Sequence, residues 1–132
     1  MDVRDAVESD AESLAELADS PVDVMRNLVH DRTVRVATDG DSVTGFVSFD
    51  ARQETVHVTQ LQGTEAACTR LLEEPVRFAR GEAMAVEVLV PDGEAAVRDA
   101  AEAADFTTAG SGPRFSGRPT TRYRLEPDPD AT

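Results

Sequence analysis

Outside the carboxylates and guanidiniums, four side chains in this sequence can exchange a proton: His30, His57, Cys68 and Tyr123. His57 lies in an alternating run, Thr55–Leu61, on the face opposite Val56 and Val58. If those valines face a core, His57 faces outward, in a direction that can open onto a cleft. A neutral imidazole there could take a proton from a bound group directly or through a water, since its unperturbed pKa suits that task near neutrality. The competing reading is a half-exposed strand histidine with no task, because a lone titratable group is weak evidence of a site. Glu54, at the start of the same run, is an alternative base. His30 falls at a helix C-terminus, where a partial positive charge complements the dipole. Two distant histidines and one cysteine have no metal-ligand spacing, so no metal is expected. Cys68 sits near a helix start, where a thiol has either a lowered pKa or the role of a small buried residue. Tyr123 reads as a strand aromatic packing at an edge.

A second feature is cationic. Residues 106–125 contain Arg114, Arg118, Arg122 and Arg124 and no acid, whereas the first 105 residues carry 9 arginines against 23 acids. Gly110 through Pro119 reads as a flexible polar loop, and such loops often bind anions. Arg114 and Arg118 are therefore candidates for a phosphate or carboxylate of a ligand. The alternative is cross-strand pairing of these arginines with the acidic body.

Composition sets the surroundings of these groups. The 132 residues carry a net charge of −13, from 26 acids against 13 basic residues, all of them arginine. A phosphate backbone is bound by clustered basic residues on one face, so no nucleic-acid partner is expected. No apolar run has the length of a membrane span, and the acidic first residues are unlike a signal peptide. A cytoplasmic domain is expected. The excess of acid over base suggests adaptation to high salt, where screening removes self-repulsion. In this the composition resembles the cytosolic proteins of salt-loving archaea.

The elements that must position these residues follow from periodicity. Val3–Val7 reads as a strand, and Ser9-Asp10-Ala11-Glu12 has capping-box spacing before a short helix. Ser20-Pro21 starts a second helix that runs to about His30. Thr33–Thr38 and Ser42–Asp50 alternate around Asp39-Gly40-Asp41, a hairpin signal. After the strand Thr55–Leu61, a helix over Thr64–Arg80 is expected to kink at Pro75 and end at Gly81. Ala85–Val90 is a strand, and Asp92 caps an alanine-rich helix through Ala104. The chain closes with β-loop-β. The order is β-α-α-β-β-β-α-β-α-β-β, an α/β architecture with helices on both faces of a mostly antiparallel mixed sheet. Residues 1–126 form one domain, and residues 127–132 are expected to be a disordered acidic tail.

In this layout the sequence resembles the GNAT superfamily of acyl-CoA-dependent N-acyltransferases. The resemblance rests on Val3-Arg4-Asp5-Ala6 through Leu17, on the hairpin Val34–Val47 with Gly45-Phe46-Val47, and on Leu71-Leu72 through Phe106. It implies that acetyl-CoA binds between the fourth strand and third helix, along Val58, Gln60, Leu61, Gln62, Gly63, Thr64 and Ala66. It further implies an amine acceptor, on a small molecule or a protein, and a homodimer is one assembly it allows. The family's Gln/Arg-x-x-Gly-x-Gly/Ala loop cradles the diphosphate with glycine for close backbone approach. Here Gly63 falls on the Gln/Arg position, Ala66 on the central glycine and Cys68 on the last small residue; a one-residue shift uses Gln62, Glu65 and Ala67 instead. Neither register keeps the central glycine, and Glu65 sets a carboxylate where the diphosphate would lie. Alanine stands where many members carry a catalytic tyrosine, between Ala100 and Phe106. Two functions follow: an N-acyltransferase with a degenerate diphosphate loop, or a non-catalytic interaction or ligand-sensing module of the same fold that has lost acetyl-CoA binding.

Overall fold

Alternating valines commit most of the chain to strands buried on at least one face. The computed structural model describes residues 1–115 and 117–127. In chain order these form β1 (Asp2–Asp5), a 3-10 turn (Glu8–Asp10), α1 (Ala11–Ala18), α2 (Val22–Asp31), β2 (Thr33–Asp39) and β3 (Ser42–Arg52). They continue with β4 (Thr55–Gly63), α3 (Glu65–Glu82), β5 (Ala85–Pro91), α4 (Ala95–Ala103), β6 (Thr107–Phe115) and β7 (Arg118–Leu125). The seven strands make one sheet in the order β1-β2-β3-β4-β5-β7-β6. Every neighbouring pair is antiparallel except β4 and β5, which are parallel and joined through α3.

The sheet is sandwiched between two helical layers. Val34, Val36 and Phe46 pack with Leu14 of α1 and Met25 of α2 on one face. Val47, Phe49, Val56, Val58, Val86 and Val88 pack with Leu71, Leu72 and Val76 of α3 and Val97 and Ala101 of α4 on the other. The element order and the two-faced helix packing agree with the sequence reading. Residues 128–132, most of the expected tail, lie outside the described residues.

Five local expectations are corrected. The α3 helix runs unbroken through Pro75, whose ring is fully buried and contributes to the core. It also passes Gly81 and ends at Ala83, which adopts the left-handed conformation at φ 55° and returns its N–H to Ala79 and Arg80. The acid that caps the first helical turn is Asp10, not Glu12: its carboxylate accepts the Val7 N–H at 2.8 Å and both Arg4 guanidinium nitrogens at 2.8 and 2.9 Å. At α4 the cap position is Glu94, without a side-chain bond, and Asp92 lies in the preceding turn. The expected loop Gly110–Pro119 is largely ladder, because β6 extends to Phe115 and β7 resumes at Arg118.

Candidate functional site

The parallel ladder between β4 and β5 is short. It holds from Thr55 and Ala85 to Val58 and Val88, and then the strands part. The parting coincides with a β-bulge: Ser48 of β3 pairs with Gln60 but Phe49 pairs with Val58, so Thr59 is the extra residue. A bulge bends its strand and raises the local twist, which swings the end of β4 away from β5. From there on, the edges of β4 and β5 that face each other are unpaired.

The wedge so opened is a cavity of about 640 Å³. Its walls are Thr59–Gln62 from β4 and Leu89 and Pro91 from β5. Leu17 and Ala18 at the end of α1 and Asp19 and Ser20 in the connection to α2 overhang it, and Glu94 and Arg118 form the opposite rim. Asp19 holds the turn of that overhang in the left-handed region, at φ 51°. Arg118 donates to the Asp92 carbonyl and lies 3.5 Å from Glu94, so it ties the β6–β7 hairpin to the start of α4. A backbone bond from Asp92 N–H to the Pro119 carbonyl, 2.8 Å, reinforces the tie.

The junction of β4 and α3 is built tightly. Gly63 pairs with Gly45, and a Cβ on Gly63 would lie 2.4 Å from the Thr44 carbonyl oxygen. Its glycine requirement, with φ 134°, is met by packing against β3. Thr64 caps α3: its Oγ1 accepts from Ala67 N–H at 3.1 Å and its carbonyl from Cys68 N–H at 2.8 Å. That leaves the N–H groups of Glu65 and Ala66 directed out of the helix end. Ala67 and Cys68 are buried, whereas Thr64, Glu65 and Ala66 are exposed. Burial, with the nearby Glu94 carboxylate, pushes the Cys68 thiol up to about 11, so it is a small core residue and not a thiolate.

The sequence candidates divide accordingly. Gln60, Leu61 and Gln62 line the cavity together with Arg118. Val58 is the last paired residue and points into the α3 core. Gly63, Thr64 and Ala66 form the junction, and Ala66 borders a shallow surface with Glu65 and Arg70. His57 is half-buried, in register with Asp50 and Glu87, two residues before the bulge and outside the cavity wall. Arg114 is exposed and donates to the Gly117 carbonyl at 3.0 Å, closing its own hairpin. Arg122 and Arg124 pair with Glu87, as cross-strand pairing anticipates. Tyr123 is buried in the core between β5 and β6 rather than at an edge. Glu54 is in the turn at the far end of β4, and His30 stands 3.5 Å from Glu8.

Thr59, Asp19, Ser20, Leu89, Pro91 and Glu94 are cavity residues not anticipated as a site. Only Ser20-Pro21, and Asp92 beside Pro91 and Glu94, gave a signal, as helix starts; nothing local marks the bulge.

The arrangement can hold an extended polar chain along two unpaired strand edges, beneath the α1–α2 connection. No protein-family model and no curated protein matches the chain in sequence. Solved structures do match in shape. One is yncA from Salmonella typhimurium with its cofactor acetyl-CoA, 17% identical, TM-score 0.78, covering 99% of this chain and 96% of that one. A second is a ribosomal-protein-alanine N-acetyltransferase from Brucella melitensis, 16% identical, TM-score 0.77, covering 96% and 99%. A third is aminoglycoside 6'-acetyltransferase type Ii, 14% identical, TM-score 0.77, covering 98% and 100%.

Proposed function

With the fold established as that of the GNAT acetyltransferases, we propose that this chain moves an acyl group from acyl-CoA to an amine. The observation that carries the proposal is the wedge itself: β4 and β5 separate at the Thr59 bulge and leave two unpaired backbone edges lining one cavity. The residues present suit the pantetheine arm of such a cofactor, whose amides can complete the orphaned edge of Thr59–Gln62. For the diphosphate, the helix end offers the Glu65 and Ala66 N–H groups, while the Glu65 carboxylate opposes it.

Bound acyl-CoA would supply a thioester, whose carbonyl an amine attacks directly. The chain's part is positioning and polarisation. The backbone edge of β4 beyond Val58 offers donors for a carbonyl oxygen, in a wedge walled by β5 and the α1–α2 connection. Gln60 and Gln62 add amide groups to the same wall. His57, on the face of β4 that carries Thr59, is the proposed proton acceptor, reached through water because it stands outside the wall. The acceptor enters under the α1–α2 connection, past Asp19 and Ser20. Release of free thiol from acetyl-CoA, scored against a panel of small amines and peptides with free amino termini, tests the proposal. Amine-dependent release is expected, and its absence across the panel counts against transfer.

A second reading has one specific observation in its favour. Glu65 is exposed at the helix end and the junction glycine is spent on packing, as in a domain that has lost its nucleotide and serves as a ligand-sensing module. We further propose that the acidic surface is an adaptation to salt within the cytoplasm. On that account the circular dichroism of the fold collapses between about 2 M and about 20 mM KCl, as screening is withdrawn.

A further inference from the structure

Ser48 is a polar residue with no exposed surface, in the middle of the sheet. Its Oγ lies 2.8 Å from Thr59 Oγ1, and Thr59 Oγ1 lies 3.1 Å from the Ser48 carbonyl oxygen. Two hydroxyl protons must be placed. Among the described residues, Ser48 Oγ has no other partner, and a buried hydroxyl left without one is costly. Both protons are satisfied when Ser48 donates to Thr59 Oγ1 and Thr59 donates to the Ser48 carbonyl. Thr59 Oγ1 then has no proton left to give and one lone pair unused.

Thr59 is also the extra residue of the bulge, the first residue beyond the β4–β5 ladder, and part of the cavity wall. We infer that Ser48 and Thr59 form a positioning pair that fixes the opening of the wedge, and that Thr59 Oγ1 faces the cavity as an acceptor-only group that receives an N–H of the attacking amine. The inference rests on the acyl-transfer reading for the amine contact, but not for the hydroxyl pair. An acceptor-only oxygen favours a primary or secondary amine, which keeps an N–H to donate while its lone pair points elsewhere. It disfavours an alcohol, whose single proton would be held at the oxygen while the attack requires its removal. Thr59 is the residue that touches substrate, and Ser48 acts through it.

The test compares wild type with Ser48→Ala, Thr59→Ser and Thr59→Val at about 2 M KCl, where surface repulsion is screened. Amide-proton exchange and steady-state kinetics with acetyl-CoA and a glycyl tripeptide are measured on the same samples. Thr59→Val, which also takes the partner from the Ser48 hydroxyl, raises KM for the tripeptide about tenfold above that of Ser48→Ala, the loss of one hydrogen bond, with KM for acetyl-CoA alike in the two variants to within about twofold. Thr59→Ser, which keeps the hydroxyl, recovers the tripeptide KM to within about twofold. Ser48→Ala speeds exchange at Gln60 by about tenfold or more, since the bulge loses its anchor. A Thr59→Val variant whose tripeptide KM is no higher than that of Ser48→Ala overturns the amine contact. Unchanged Gln60 exchange in Ser48→Ala overturns the pair. If wild type does not turn over the tripeptide, the same comparison is made with an amine of the panel that it does turn over; if it turns over none, the transferase reading falls and takes the amine contact with it, and the exchange measurement alone decides the pair.

Discussion

Gly45 and Gly63 face each other across the β3–β4 ladder, and neither has room for a methyl group. A Cβ on Gly45 would lie 2.7 Å from the Gln62 carbonyl oxygen and 2.8 Å from the Ala67 Cβ; one on Gly63 would meet Thr44 and Gly45 closer still. The pair lets the end of β4 press against β3 while its other edge swings clear of β5. Gly63→Ala, strained by both φ and contact, should destabilise the fold by about 2–4 kcal/mol. A fall in thermal midpoint of about 5 °C or more would register it; a midpoint unchanged from wild type would show that the junction relaxes freely.

Asp10 gives a pH prediction. The Arg4 guanidinium, against its own desolvation and with help from the Val7 N–H, holds the carboxyl below the usual carboxylate range. A folded pKa lower than the unfolded one of about 3.9 stabilises fully above that value and is lost as pH falls through the folded pKa. Asp10→Asn should therefore cost about 1–2 kcal/mol at neutral pH, discounted for the half-exposed arginine. It should also flatten the acid limb of the stability curve below about pH 4. Chemical denaturation of both proteins between neutral and acid pH checks the sign, and parallel acid limbs would contradict it.

Cys68 gives a chemical one. Full burial and a thiol pushed up to about 11 predict no reaction with an aromatic disulfide reagent in the folded protein at mildly alkaline pH. One equivalent should react once the protein is unfolded in denaturant. Rapid labelling of the native protein would mean that the helix end opens far more than its packing allows.

The sequence carried the layers and missed the wedge for the same physical reason. Alternation of valines and the Asp39-Gly40-Asp41 turn are local, so strands, helices and their faces could be read residue by residue. Pro75 and Gly81 misled because local propensity was overruled by packing: the ring of Pro75 fills the core, and α3 gains from continuing to Glu82. Composition reads Gly110–Pro119 as a loop, yet pairing with β7 makes strand of it as far as Phe115. The cavity draws on Asp19, Thr59, Leu89, Glu94 and Arg118, five places that only the sheet order brings together. Gln60, Leu61 and Gln62 were legible through a resemblance of layout; the bulge at Thr59 follows from pairing register, which no single strand encodes.

Glu65 should act against the cofactor. Its carboxylate is exposed beside the two free N–H groups of α3, so Glu65→Gln should tighten acetyl-CoA by about threefold to tenfold. The gain should shrink as KCl rises toward about 1 M, where the screening length falls to roughly 3 Å. Calorimetry of both proteins across a salt series measures it, and equal affinities at every salt would show that the diphosphate lies elsewhere.

The central claim is that the wedge between β4 and β5 takes the arm of an acyl-CoA. Titrating acetyl-CoA into the full chain at about 2 M KCl, followed by backbone amide chemical shifts, tests it most directly. The account predicts saturable binding with shifts confined to residues 59–68 and 89–94. No binding at about millimolar cofactor, a free energy of only about −4 kcal/mol, would contradict it, as would shifts that avoid the wedge.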